Sequence, residues 1–186
     1  VSAVSLDKKG EQYLRIYDIK DNTFKIPFTD KIVGYYNYSK KTKNLIISSV
    51  LENNELVLYT SNLKTKEHTY IDNSTGRSIH NIPINKFGEE KISYISKKDS
   101  IWDINYVDLS SYKTKTITTT LNNNEDICWF KDGSILTSYK NKLYIFNTKI
   151  SKDWILLCSL EEYGITNISR IAINTDNDKL ALVNSK

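Results

Sequence analysis

The 186-residue sequence has no methionine, two prolines, two cysteines, two histidines and six glycines. Lacking an initiating methionine, Val1 is expected to be either the start of a processed product or the edge of a fragment. So few glycines nearly exclude phosphate-cradling loops, and neither a Gly-x-Ser-x-Gly elbow nor a His-Glu-x-x-His helix occurs. The cysteines and histidines show neither CxxC nor HxxxH spacing, so no metal site is expected. No apolar run approaches the roughly 18 residues that a membrane-spanning helix needs. Nor does a basic-then-apolar secretion signal open the chain. No window holds the i, i+3, i+4, i+7 apolar spacing over three turns, which leaves little room for helices. No catalytic residue and no cofactor is expected in the chain, which makes an enzyme the less favoured reading.

Arginine is scarce too. Only Arg15, Arg77 and Arg170 contribute to the net charge of +4, and the rest of the positive charge is lysine. Lys8, Lys9, Lys40, Lys41, Lys43, Lys97, Lys98, Lys140 and Lys142 fall in expected turns, where scattered lysines read as a solvated surface that blunts sheet edges. Phosphate recognition gathers Arg and Lys on one face, so no nucleic-acid partner is expected.

What the sequence does contain is β-forming residues in a repeated order. Residues 126–130 (DICWF), a Lys131-Asp132-Gly133 turn, and runs at 134–139, 142–147 and 153–159 read as a four-strand meander. The same order recurs at 33–38, 44–51, 55–61 and 66–72, and again at 78–83, 90–96, 101–108 and 114–118. First strands near residues 33, 78, 126 and 168 give a period of roughly 40 to 48 residues, the mark of a propeller blade. A sandwich also has many short strands, but has no reason to repeat a four-strand unit. The expected fold class is all-β: a β-propeller of four-stranded antiparallel blades, with roughly four blades' worth present. Residues 1–28 would supply the last three strands of one blade, followed by blades at 33–72, 78–118 and 126–159. The first two strands of a closing blade would occupy 168–184. These strand types leave one second strand in excess, so an incomplete ring is expected, the C-terminal part of a longer propeller.

The residues GRSIHNIP (76–83), EDICWFKDGSIL (125–136), KLYIF (142–146) and ITNISRIAINTDNDKLALV (165–183) resemble successive blades of the bacterial TolB-like propeller proteins. In that family the first hairpin of a blade carries a Ser-Pro-Asp-Gly turn. Here FKDG (130–133) and NTDNDKLAL (174–182) match it without the proline, and the second without the glycine. The resemblance implies a secreted or periplasmic protein, at the cell surface or in the periplasm, of about six blades. It implies no activity, because propellers host binding, scaffolding and enzymatic roles alike. The function expected is a non-enzymatic binding or scaffolding propeller of the cell envelope with a protein or peptide partner, in an envelope complex. The alternative is a glycan-acting enzyme, or the propeller of a serine peptidase, with its catalytic residues outside this chain.

The entrances of the innermost strands are polar or aromatic, and in a propeller they converge on one mouth of the central channel. The candidate binding residues there are Tyr35, Tyr36, Arg77, His80, Glu125, Asp126 and Arg170. They read either as interblade ion pairs that close the channel or as a ligand site. His80, on an innermost strand, reads as a satisfied structural histidine or as part of that site. Trp102, Trp129 and Trp154 read as packing between blades. Cys128 and Cys158 fall on the first and fourth strands of one blade, too far apart to bridge, and are expected as free thiols.

Overall fold

The computed structural model describes residues 1–42, 44–83, 89–147 and 149–185; Lys43, read above as a turn lysine, lies outside them. Among the described residues seventeen strands form five antiparallel sheets, each a meander of strands in sequence order. Sheet 1 is β1 (Ser2–Leu6), β2 (Gln12–Asp18) and β3 (Thr23–Lys25). Sheet 2 is β4 (Ile32–Tyr38), β5 (Leu45–Glu52), β6 (Glu55–Asn62) and β7 (His68–Asp72). Sheet 3 is β8 (His80–Asn81), β9 (Lys91–Ser96), β10 (Asp103–Asp108) and β11 (Thr114–Thr119). Sheet 4 is β12 (Ile127–Trp129), β13 (Ile135–Tyr139), β14 (Lys142–Phe146) and β15 (Ile155–Ser159). Sheet 5 is β16 (Ile168–Ile173) with β17 (Leu180–Asn184). The chain is all-β, with four-stranded antiparallel sheets as its blades, and no ladder among the described residues joins sheet 5 to sheet 1 to close a ring.

Each pair of neighbouring sheets encloses one apolar cluster. Leu14, Val33 and Ile46 pack between sheets 1 and 2, and Ile47, Leu58, Ile92 and Tyr94 between sheets 2 and 3. Ile95, Ile104, Ile127 and Ile135 fill the gap between sheets 3 and 4, and Cys128, Leu136, Leu143 and Ile168 that between sheets 4 and 5. Side chains alternate across a strand, so a strand inside the stack must be apolar on both faces. β5 therefore turns Ile46 and Val50 toward sheet 1 and Leu45 and Ile47 toward sheet 3. β13 divides Ile135 and Leu136 in the same way. That double burial explains runs such as LIIS and SILT, which do not alternate as a half-exposed strand would. Each fully buried Ile or Leu contributes about 1.5–3 kcal/mol.

The tryptophans sit at these interfaces. Trp102, Trp129 and Trp154 all pack against the cluster between sheets 3 and 4. The Trp129 indole N–H donates across the gap to Ser93 Oγ at 2.8 Å, and that of Trp154 to the Thr119 carbonyl at 3.0 Å. Buried Glu90, just before β9, accepts from Ser39 Oγ (2.6 Å) and from the backbone N–H groups of Lys40 and Lys41, pinning the β4–β5 turn to sheet 3.

With glycine scarce, asparagine is the commonest left-handed residue among the described ones. Gly133 takes φ 87° in the turn after Phe130, while Asn53 and Asn54, at φ 50° and 67°, close the two-residue β5–β6 hairpin. Asn177 at φ 63° fills the position between β16 and β17 where the resembled family has glycine.

Candidate functional site

Two innermost strands carry a β-bulge near their entrances. In β4 the register slips between Val33 and Tyr35, and in β16 between Ile168 and Arg170. A bulge inserts an unpaired residue and re-aims the side chains beside it. Tyr35 and Arg170 accordingly line one cavity of about 220 Å³, together with Arg77, Ser78, His80 and Asp126. Tyr36 is not with them. Its ring packs into the cluster between sheets 1 and 2 and its hydroxyl donates to Ser2 Oγ at 3.0 Å.

Arg77 is the hub of the site. Its Nε donates to Asp126 Oδ1 at 3.1 Å, its Nη2 to Asp126 Oδ2, and its Nη1 lies 3.0 Å from Glu125 Oε1. Burial lowers the guanidinium pKa, but Asp126 and Glu125 outweigh it and the net shift is upward. Arg170 Nη1 reaches Asp126 Oδ2 at 3.3 Å, and Lys97 Nζ reaches Glu125 Oε2 at 2.6 Å while lying over the Trp102 ring. Residues from sheets 3, 4 and 5 are thereby joined.

The backbone around the acids is also fixed. The Asp126 N–H donates to Asn124 Oδ1 at 2.9 Å and its carbonyl accepts from Thr137 Oγ1 at 2.8 Å. The Ile127 N–H donates to Ser78 Oγ at 3.3 Å. Because Ser78 is engaged with sheet 4, the run expected at 78–83 forms ladder only at His80–Asn81.

His80 lies deeper, between the 220 Å³ cavity and one of about 560 Å³ at the other end of the innermost strands, and lines both. Its Nε2 is buried with no hydrogen-bond partner among the described residues. Burial lowers its pKa, and the Ile127 backbone and the Asp126 charge only partly oppose this, so the ring is held neutral.

A third cavity, of about 300 Å³, opens beside the ion network and is lined by Arg77, Asn124, Asp126, Lys140, Asn167 and Arg170 among others. Sequence reasoning missed Lys97 and Lys140 as members of this site. Both were read with the solvated turn lysines, yet Lys97 is paired with Glu125 and Lys140 stands on the lip. Neither is on an innermost strand; Lys97 follows β9 and Lys140 sits in the β13–β14 turn at φ 54°. That left-handed lysine, at a position favouring Asn or Gly, is a signal visible only once the hairpin register is known.

The remaining candidates lie apart. Cys128 and Cys158 are free thiols on β12 and β15, the two opposite edge strands of sheet 4, and burial pushes the Cys128 thiol up to about 12. His68 on β7 packs edge-on against Phe28 at 4.9 Å, its Nδ1 2.7 Å from Ser61 Oγ. Among the described residues no group of three or more His, Cys, Asp or Glu could hold a metal ion. No helix among them is long and apolar enough to cross a membrane.

Solved structures share this architecture. TolB from Acinetobacter baumannii superposes with a TM-score of 0.67 at 15% identity, over 98% of this chain and 46% of that one. The fold is that of a TolB-like β-propeller. An oligogalacturonate lyase in complex with manganese follows with a TM-score of 0.62 at 13% identity, over 80% of this chain and 43% of that one. A luciferin-regenerating enzyme matches with a TM-score of 0.55 at 10% identity, over 98% of this chain and 68% of that one. The chain thus spans less than half of the TolB and lyase chains. No protein-family model and no curated protein sequence matches it. At these identities the likeness extends to the fold alone.

Proposed function

We propose that the chain is a non-enzymatic binding or scaffolding propeller of the bacterial cell envelope, periplasmic or at the cell surface, that holds a protein or peptide at the channel mouth. The observation that carries this reading is the arrangement of Tyr35, Arg77, Asp126 and Arg170, from four successive innermost strand regions, around one open cavity. Tyr35 is 40% exposed and the Arg170 side chain 50% exposed, so the network presents an aromatic and a cationic group outward instead of sealing itself. Aromatic and arginine side chains set over buried partners are the residue types that anchor protein interfaces. The TolB-like fold agrees with an envelope role.

The immobilised chain is expected to capture a specific partner from native cell envelope, and Arg77→Ala with Arg170→Ala is expected to lose it. Capture of nothing specific, at a depth that recovers known envelope complexes, would contradict the reading. The rival, a glycan-acting enzyme, draws support from the likeness to the lyase. With its catalytic residues outside this chain, it predicts cleavage of oligogalacturonate with manganese only when the chain is assayed together with the polypeptide that carries those residues, where the binding reading predicts none.

A further inference from the structure

The charges at the mouth do not balance. Among the described residues, Arg77, Lys97, Lys140 and Arg170 face two carboxylates, Glu125 and Asp126. Arg77 takes both oxygens of Asp126 and one of Glu125, and Lys97 takes the other. Two cations are left with capacity to spare. Arg170 has a single contact to Asp126 at 3.3 Å, plus a bond from the same Nη1 to its own Ser169 carbonyl at 2.8 Å. Among the described residues Lys140 has no carboxylate within ion-pair distance, and its ammonium stands 5.5 Å from the Tyr139 ring centroid.

Both spare cations line the same cavity of about 300 Å³, with Asn122, Asn124 and Asn167 beside them. Resting on the binding function above, we propose that this cavity is a carboxylate receptor, and that the partner is an acidic peptide presenting one carboxylate to Arg170 and Lys140. A guanidinium offers parallel N–H donors that match a carboxylate, and a lysine ammonium adds a point charge. The paired acids behind them matter as well. Asp126 holds Arg170 from one side, so its outward N–H groups are already oriented. The carboxylate can come from an Asp or Glu side chain or from a C-terminus.

The test is an array of random octapeptides, half with free and half with amidated C-termini, probed with the intact chain at low and high salt. Bound peptides are expected to release at high salt and, where a side chain supplies the carboxylate, to be enriched in Asp and Glu. Retention by the amidated half assigns the carboxylate to a side chain; loss assigns it to the C-terminus. Removing either charge-assisted contact, by Arg170→Gln or Lys140→Asn, is expected to weaken binding about tenfold. Lys140→Asn also suits the left-handed turn, so its loss of affinity cannot be put down to misfolding. Binding of neutral peptides as tightly as acidic ones, undiminished by these substitutions, would overturn the carboxylate receptor and leave the peptide-binding function standing. An array with no bound peptide would also overturn the carboxylate receptor, whereas the binding function falls only if the envelope capture returns nothing specific.

Discussion

At the scale of single residues, the sharpest signature is His80. It is a polar group with one ring nitrogen buried and unpartnered, a state that costs stability and becomes worse if the ring is charged. Its pKa is lowered from 6.5 by burial, and that of His68 is lowered for the same reason, with Lys31 adding to it. A depressed folded-state value means that the unfolded chain takes up protons first as the pH falls. Stability contributed by the neutral rings is therefore complete well above pH 6.5 and is lost as the pH drops through 6.5 toward each lowered folded value. Urea denaturation across pH 8 to 5 is expected to show that decline, and His80→Gln to flatten part of it. An unchanged slope in the variant would mean that His80 is not held neutral.

At the scale of elements, the entry to β8, the second innermost strand, is a close fit between sheets. Gly76 donates its N–H to the Ile95 carbonyl at 2.9 Å, and a Cβ at this position would lie 2.8 Å from Glu125 Oε2 and 2.9 Å from Ile95 Cβ. Gly-to-Ala exchange at an unstrained position stabilises through the unfolded chain, but the overlap here reverses the sign. Gly76→Ala is expected to cost about 1–3 kcal/mol in chemical denaturation. Equal or greater stability in the variant would show that the strand entry and Glu125 are not packed together. The same segment marks where the sequence stops being legible. Strands such as β5, β9 and β13 stood out because burial on both faces demands unbroken runs of Ile, Leu, Ser and Thr. The first strand expected at 78–83 is ladder only at His80–Asn81, because its entrance makes its contacts with the next sheet, where Ser78 serves Ile127. Tyr35 and Tyr36 were read as one cluster, but the bulge at Gly34 and simple alternation send them to different places. Lys97 and Lys140 come from loops whose destination depends on register, which no local pattern in this sequence encodes.

At the scale of the whole molecule, the account stands on sheets stacked around an axis, so that residues about fifty positions apart meet at one mouth. The repeat made the all-β, open propeller readable, since each copy repeats the same strand order and turn position. The charged mouth was readable only as a set of entrances; which side chains pair across it is decided by how neighbouring sheets seat against one another. The most direct measurement is a double-mutant cycle on Arg77→Ala and Asp126→Ala, read by chemical denaturation. These residues are 49 positions apart and belong to different sheets, yet share two hydrogen bonds. The account predicts a coupling of about 1–3 kcal/mol, the range for residues in one ion-pair network. Single costs that simply add would contradict it, because the two side chains would then not meet across the blade boundary.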